Sequence, residues 1–151
     1  MANKKTFKGR VVVKGQIEAK ALVTKDGLNT LASFQGALQK GDKKAVCGDQ
    51  NNSYLYNKPL AGSALCLPET IGSTTGGFVI YCAVALKSQP ACMLFSKKID
   101  SLAAAGSILA NVWLEDVKMP VIDSLGSEFL NYVRNGMNIK VKDNGIVEVY
   151  P

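Results

Sequence analysis

The sequence predicts an α/β fold with parallel interior strands and antiparallel ribbons at the edge, and three observations carry that prediction. Brief apolar runs, ALCLP at 64–68, CMLF at 92–95 and MPVI at 119–122, have the length and composition of strands buried on both faces. Helical patterns separate these runs, which is the alternation that builds a parallel sheet with crossover helices. Both ends of the chain carry short β-rich runs bounded by turn residues. At 151 residues and 47% hydrophobic, the chain has the material for one domain, 1–151, with a proper core.

Taken in order, GRVVVKG at 9–15 and EAKALVT at 18–24 read as a hairpin joined by a tight turn. Residues 25–60 are rich in small polar side chains and read as a covering loop, more often a binding loop, lid or partner surface than a plain connector, with Phe34, Tyr54 and Tyr56 as candidate anchors to the core. Thr75 to Lys87 reads as a helix that opens on the cluster GSTTGG at 72–77. Ser101 to Trp113 reads as an alanine-rich helix with Asp100-Ser101 as its N-cap, Gly106 permitting close helix packing, and Trp113 as a packing residue at its end. Ser124 to Arg134 reads as a further helix stopped by Asn135-Gly136. MNIKVKD and IVEVY flank Asn144-Gly145, the strongest short-range signal for a type I′ hairpin.

Composition excludes several classes of function. No segment approaches the ~20 apolar residues that span a bilayer, and the basic opening MANKKTFKGR is not followed by a continuous apolar stretch, so a cytoplasmic protein without a membrane anchor is expected. The net charge of +6 comes from lysines scattered over the chain with few aromatics between them, which argues against nucleic acid and suits an anionic small substrate or an acidic partner. Cys47, Cys66, Cys82 and Cys92 form no C-x-x-C pair, and three lie in apolar runs, so buried free thiols are expected and no metal site.

GSTTGG follows a strand and precedes a helix, which puts its backbone N–H groups at the end of the sheet where open α/β folds bind ligands. Backbone donors and the helix dipole favour a carboxylate or phosphate there, the dipole by ~0.3–1 kcal/mol, and the hydroxyls of Ser73, Thr74 and Thr75 add direct hydrogen bonds. It is neither a P-loop nor a G-x-G-x-x-G turn. Capping of the helix by Ser73 or Thr74 is the plain structural alternative.

KGRVVVKGQIEAKALVTKDGL, LASFQG, PLAGSALCLP with IGSTTGGFVIY, PACMLFSKKIDSLAAAGSILANVW, and MPVID with VRNGMNIKVKDNGIVEV together resemble the small subunit of aconitase X over nearly the whole chain. The resemblance implies a swivelling β/β/α domain of the aconitase type and a hydro-lyase active only with a large subunit, as a heterodimer or higher assembly. It implies that Ser73 is the active-site base, that Thr74 and Thr75 bind the substrate carboxylate, and that Gly72, Gly76 and Gly77 keep the backbone close. An iron–sulfur cluster is implied in the large subunit, none being bound by this chain. Members of the family dehydrate cis-3-hydroxy-L-proline or mevalonate 5-phosphate, and a hydroxyproline-like small hydroxy acid is the substrate expected here. The chain departs from the family pattern at Glu69-Thr70-Ile71, at Gly77, and in the loop 35–60, which carries Asp49 but no histidine.

Two other classes compete. A phosphohistidine carrier needs a histidine, and the chain has none. A non-catalytic regulatory or scaffolding module would use GSTTGG only as a cap or anion site. A domain that must close on a partner is also expected to expose an apolar face.

Overall fold

The computed structural model describes residues 3–151. The chain opens with β1 (Lys5–Lys8), β2 (Arg10–Val13), β3 (Ile17–Val23) and β4 (Leu28–Asn29), followed by α1 (Thr30–Lys40). Next come β5 (Ala64–Leu67), β6 (Thr70–Ile71), α2 (Gly76–Ala85), β7 (Cys92–Phe95) and α3 (Ser101–Trp113). It closes with β8 (Val121–Asp123), α4 (Ser127–Tyr132), β9 (Asn138–Val141) and β10 (Ile146–Tyr150).

An eight-stranded sheet runs in the order β1-β10-β9-β3-β5-β7-β8-β2. The apolar runs read from the sequence, β5, β7 and β8, are its parallel centre together with the C-terminal half of β3. All four residues of both β5 and β7 are buried, as strands covered on both faces must be. β3 changes partner along its length: Ile17 to Lys20 pair antiparallel with β9, and Ala21 to Val23 pair parallel with β5. The outermost strands, β1 and β2, are joined through Gly9, so the two halves of the sheet fold over one another. A Cβ on Gly9 would run into the Asp123 carbonyl, and its N–H is taken by the Gly145 carbonyl at 3.0 Å.

Two apolar cores result. One lies between the parallel strands and α1, α2 and α3, built on Leu22, Leu65, Leu67, Phe95 and Val121 with Phe34, Ile80 and Ala103 above them. The other lies under the β1-β10-β9 ribbon and α4, where Phe7 meets Phe129 edge-on with ring centroids 5.3 Å apart. The layering is thus β, β, α.

Several expectations are corrected. β2 and β3 do not form a hairpin, because β2 pairs antiparallel with β8 and the intervening Gly15 packs against Pro120. Their local sequence permits a hairpin, but the buried C-terminal half of β3 has to lie beside β5. The β9–β10 hairpin forms, but its turn is a three-residue connection in which only Gly145 (φ 85°) is left-handed, so it is not type I′. The last helix starts late because Ser124 (φ 56°) and Gly126 (φ 94°) are left-handed. Asn135 and Gly136 do not cap it: they bond the edge of β3, Asn135 Oδ1 accepting the Val23 N–H at 2.7 Å and Gly136 N–H donating to the Ala21 carbonyl at 2.9 Å. Lys25 and Arg134 donate to the carbonyls at the end of α4 instead.

The stretch 25–60 covers the sheet as expected but contains α1. Asn29 caps it by accepting the Ala32 N–H at 3.2 Å, and Gly41, left-handed at φ 67°, ends it. Phe34 anchors this cover, whereas Tyr54 and Tyr56 are exposed and the buried Leu55 between them does the anchoring. Trp113 is 64% exposed and lies edge-on to Tyr81 rather than in the core. Gly106 does permit close helix packing, since a Cβ on it would overlap the backbone of Gly77 in α2.

Gly106→Ala is therefore expected to lower unfolding stability by ~1–3 kcal/mol in urea titration, because both helices must move apart. Asp123, fully buried at the end of β8, accepts Arg10 Nε at 2.9 Å and the Ile99 N–H at 2.8 Å. Burial pushes its carboxyl up, but the Arg10 pair and the Ile99 N–H outweigh it and hold Asp123 below the usual carboxylate range. A carboxyl lowered on folding stabilises above its unfolded pKa and ceases to as pH falls through the folded one. Thermal melts should therefore show the midpoint dropping below about pH 4, with a flatter acid limb in Asp123→Asn.

Candidate active site

The cluster 72–77 leaves β6 at the C-terminal end of the parallel strands and delivers the chain into α2. Gly72 is left-handed at φ 98°, and a Cβ there would press on the Asn29 side chain. Ser73, Thr74 and Thr75 are exposed, Gly76 is half-buried and Gly77 is buried. Ser73 folds back on its own turn: its Oγ accepts the Thr75 N–H at 3.1 Å and lies 2.9 Å from Thr75 Oγ1, while its carbonyl accepts the Gly76 N–H at 3.1 Å.

This is not capping. Thr75 is the N-cap of α2 and makes no side-chain cap bond, and Ser73 and Thr74 make none either. Among the described residues no backbone acceptor takes the N–H groups of Gly77 and Phe78, in the first turn of α2, so the positive end of the helix is open beside the hydroxyls. Gly77 has a packing reason of its own, because a Cβ there would overlap the Leu102 carbonyl of α3.

Two further helix starts meet the turn. Asn29 and Thr30, at the start of α1, lie against Gly72 and Gly76, and the Thr30 hydroxyl donates to the Gly76 carbonyl at 3.4 Å. Asp100 caps α3 by accepting the Ala103 N–H at 2.9 Å, as the sequence predicts, and also binds the Thr70 hydroxyl of β6. A groove leads from Ser73 past Asn29 and along α1 to Gln35 and Gln39. Asn29 and the α1 groove are absent from the sequence-based site. The signal was available: an Asn-Thr pair before apolar residues at helical spacing, closed by Lys40-Gly41.

Asp49, Lys97 and the cysteines fall elsewhere. Asp49 is buried and closes a local turn by accepting the Asn51 N–H at 3.0 Å. Lys97 pairs with Glu69 at 2.5 Å on the surface. Cys47 lies in the cover, Cys66 on β5, Cys82 on α2 and Cys92 on β7, all as free thiols. Among the described residues no three His, Cys, Asp or Glu side chains gather as a metal would need. Among them, too, no helix is long and apolar enough to cross a membrane.

A hydroxyl-bearing turn at the strand C-termini of a folded-over β/β/α domain is the arrangement of the swivelling class. The family model of the aconitase X swivel domain matches residues 6–149, and the chain belongs to that family. The phosphomevalonate dehydratase small subunit of Aeropyrum pernix is 30% identical over 143 residues, covering 95% of this chain and 92% of the relative. That of Methanocella arvoryzae is 28% identical over 144 residues, covering 95% and 98%. The crystal structure of Thermococcus kodakaraensis aconitase X in its holo form superposes with a TM-score of 0.79 at 24% identity, covering 96% of this chain and 98% of that one, a likeness of fold. The resemblance and the fold class read from the sequence both hold.

Burial raises all three thiols that lie on regular elements, Cys92 to about 12, Cys66 well above the usual value and Cys82 less strongly. With a thiol-specific reagent at pH ~8, only Cys82 should react in the folded chain, and Cys47, Cys66 and Cys92 only after denaturant is added.

Proposed function

We propose that this chain is the small subunit of a cytoplasmic, two-subunit aconitase X-type hydro-lyase acting on mevalonate 5-phosphate, with Ser73 as its base. Family membership supports the dehydratase reading. The relatives described above, which align over 95% of the chain and carry the phosphomevalonate dehydratase name, support this substrate over the hydroxyproline-like acid expected from the sequence alone. The net charge of +6 suits a substrate bearing a carboxylate and a phosphate.

The observation that carries the assignment of Ser73 is its solvation by its own turn. A serine hydroxyl is a feeble base, and its alkoxide forms only where donors already point at the oxygen. The Thr75 N–H does so at 3.1 Å, the Thr75 hydroxyl can do so at 2.9 Å, and the open end of α2 adds its positive dipole. Ser73 Oγ, as alkoxide, takes the proton from the carbon next to the substrate carboxylate; the electron pair forms the double bond and the neighbouring hydroxyl leaves as hydroxide. Thr74, with the N–H groups of Gly77 and Phe78 on a backbone that Gly72 turns, holds the carboxylate. An iron–sulfur cluster on the large subunit would supply the Lewis acid that helps the hydroxyl leave.

The test is to purify the chain with its large subunit anaerobically and follow dehydration of mevalonate 5-phosphate and of cis-3-hydroxy-L-proline. Ser73→Ala should lower kcat by ~10²–10⁴ with little change in the melting midpoint, since Ser73 is exposed. Undiminished turnover in that variant would remove Ser73 from the reaction, and a wild-type complex inert on both compounds would favour the non-catalytic module.

A further inference from the structure

We infer that the outward face of α2 and α3 is the surface on which the large subunit docks, and that this docking is what carries catalytic groups to Ser73; the inference rests on the small-subunit reading above. Its first support is compositional. Charged residues make up 20% of the chain, yet neither GGFVIYCAVA of α2 nor SLAAAGSILANVW of α3 contains one. A surface helix that faces water carries polar and charged residues on its outer side. These two carry Phe78, 68% exposed, Val112, 61%, and Trp113, 64%, with Leu102 and Leu109 also exposed.

The second support is shape. Because Gly77 and Gly106 let the helices approach backbone to backbone, the outer side chains stand apart and leave an apolar groove between them, from Gly77 and Phe78 to Trp113. An apolar concavity rimmed by a ring stacked edge-on, as Trp113 is on Tyr81, is what the desolvated centre of a protein interface requires.

The third support fixes the occupant. Thr74, inside the 72–77 turn, lines the same groove, and Ile71 just before the turn is 50% exposed. Whatever fills the groove therefore abuts Thr74, the residue next to Ser73. A second copy of this chain seated there would bring only another face without charge, and would cover the turn that substrate must reach. The large subunit has to approach this turn for the reaction to proceed, and an apolar knob on it fits the groove. Water is thereby excluded beside the base.

Binding of the purified chain to its large subunit, measured by biolayer interferometry, tests this. Phe78→Asp and Val112→Asp should each weaken binding by ~100-fold, the loss expected for a desolvated interface centre. Lys20→Glu, on the antiparallel half of β3, should leave it unchanged. Circular-dichroism melts identify a variant that fails to fold, and Trp113→Ser then serves as a milder second probe of the same groove. Wild-type binding that none of the folded variants weakens would overturn the assignment of this face while sparing the small-subunit reading. A wild-type chain that does not bind the large subunit at all would overturn both. A homodimer in analytical ultracentrifugation that Val112→Asp dissolves, with large-subunit binding unchanged, would give the face to a second copy and overturn the inference.

Discussion

The contact between Gly77 and Gly106 is the constraint on which the rest of the site depends. A Cβ on Gly106 would overlap the backbone of Gly77 and a Cβ on Gly77 the Leu102 carbonyl, so α2 and α3 touch by their backbones. Gly77 is the second residue of α2, which means that this contact holds the helix where it begins rather than along its middle. The Ser73–Gly76 turn has no side-chain cap of its own and inherits its position from that anchor. Neither glycine has a side chain to fill the space outside that contact, and an apolar groove walled by Phe78, Leu102 and Trp113 lies beside Thr74.

A second set of contacts holds the turn from the other side. Asn29 and Thr30 at the start of α1 lie under Gly72 and Gly76, and the short β4–β6 pair ties Leu28 and Asn29 to Thr70 and Ile71. Asp100 at the start of α3 is bound to Thr70. Three helix N-termini and the ends of the parallel strands thus surround one hexapeptide. The starts of α1 and α3 are already capped by Asn29 and Asp100, and the uncapped start of α2 is the one that offers partial positive charge beside Ser73, which favours an anion there. Rigid positioning of a reactive group by elements that do not themselves react is what a proton-transfer step needs.

Far from the turn, ion pairs tie neighbouring strands within each half of the sheet. Arg10 and buried Asp123 tie β2 to β8, while buried Glu148 on β10 pairs with Lys142 and Lys4. Gly9 lets one extended segment serve both edges.

Features governed by neighbours in the chain were legible in the sequence. The burial of β5, β7 and β8, the bounds and cap of α3, the packing role of Gly106, and the turn bearing Ser73 all follow from short-range pattern, capping chemistry and glycine's small size. Tertiary structure alone decided that β2 leaves β3 for β8, that α4 is short, and that Trp113 faces outwards. It also placed Asn29 beside Gly72, across more than forty positions of sequence. The reason is physical: periodicity and caps report what a segment prefers, whereas strand partners and exposure are settled by which surfaces remain to be buried once all the segments are present.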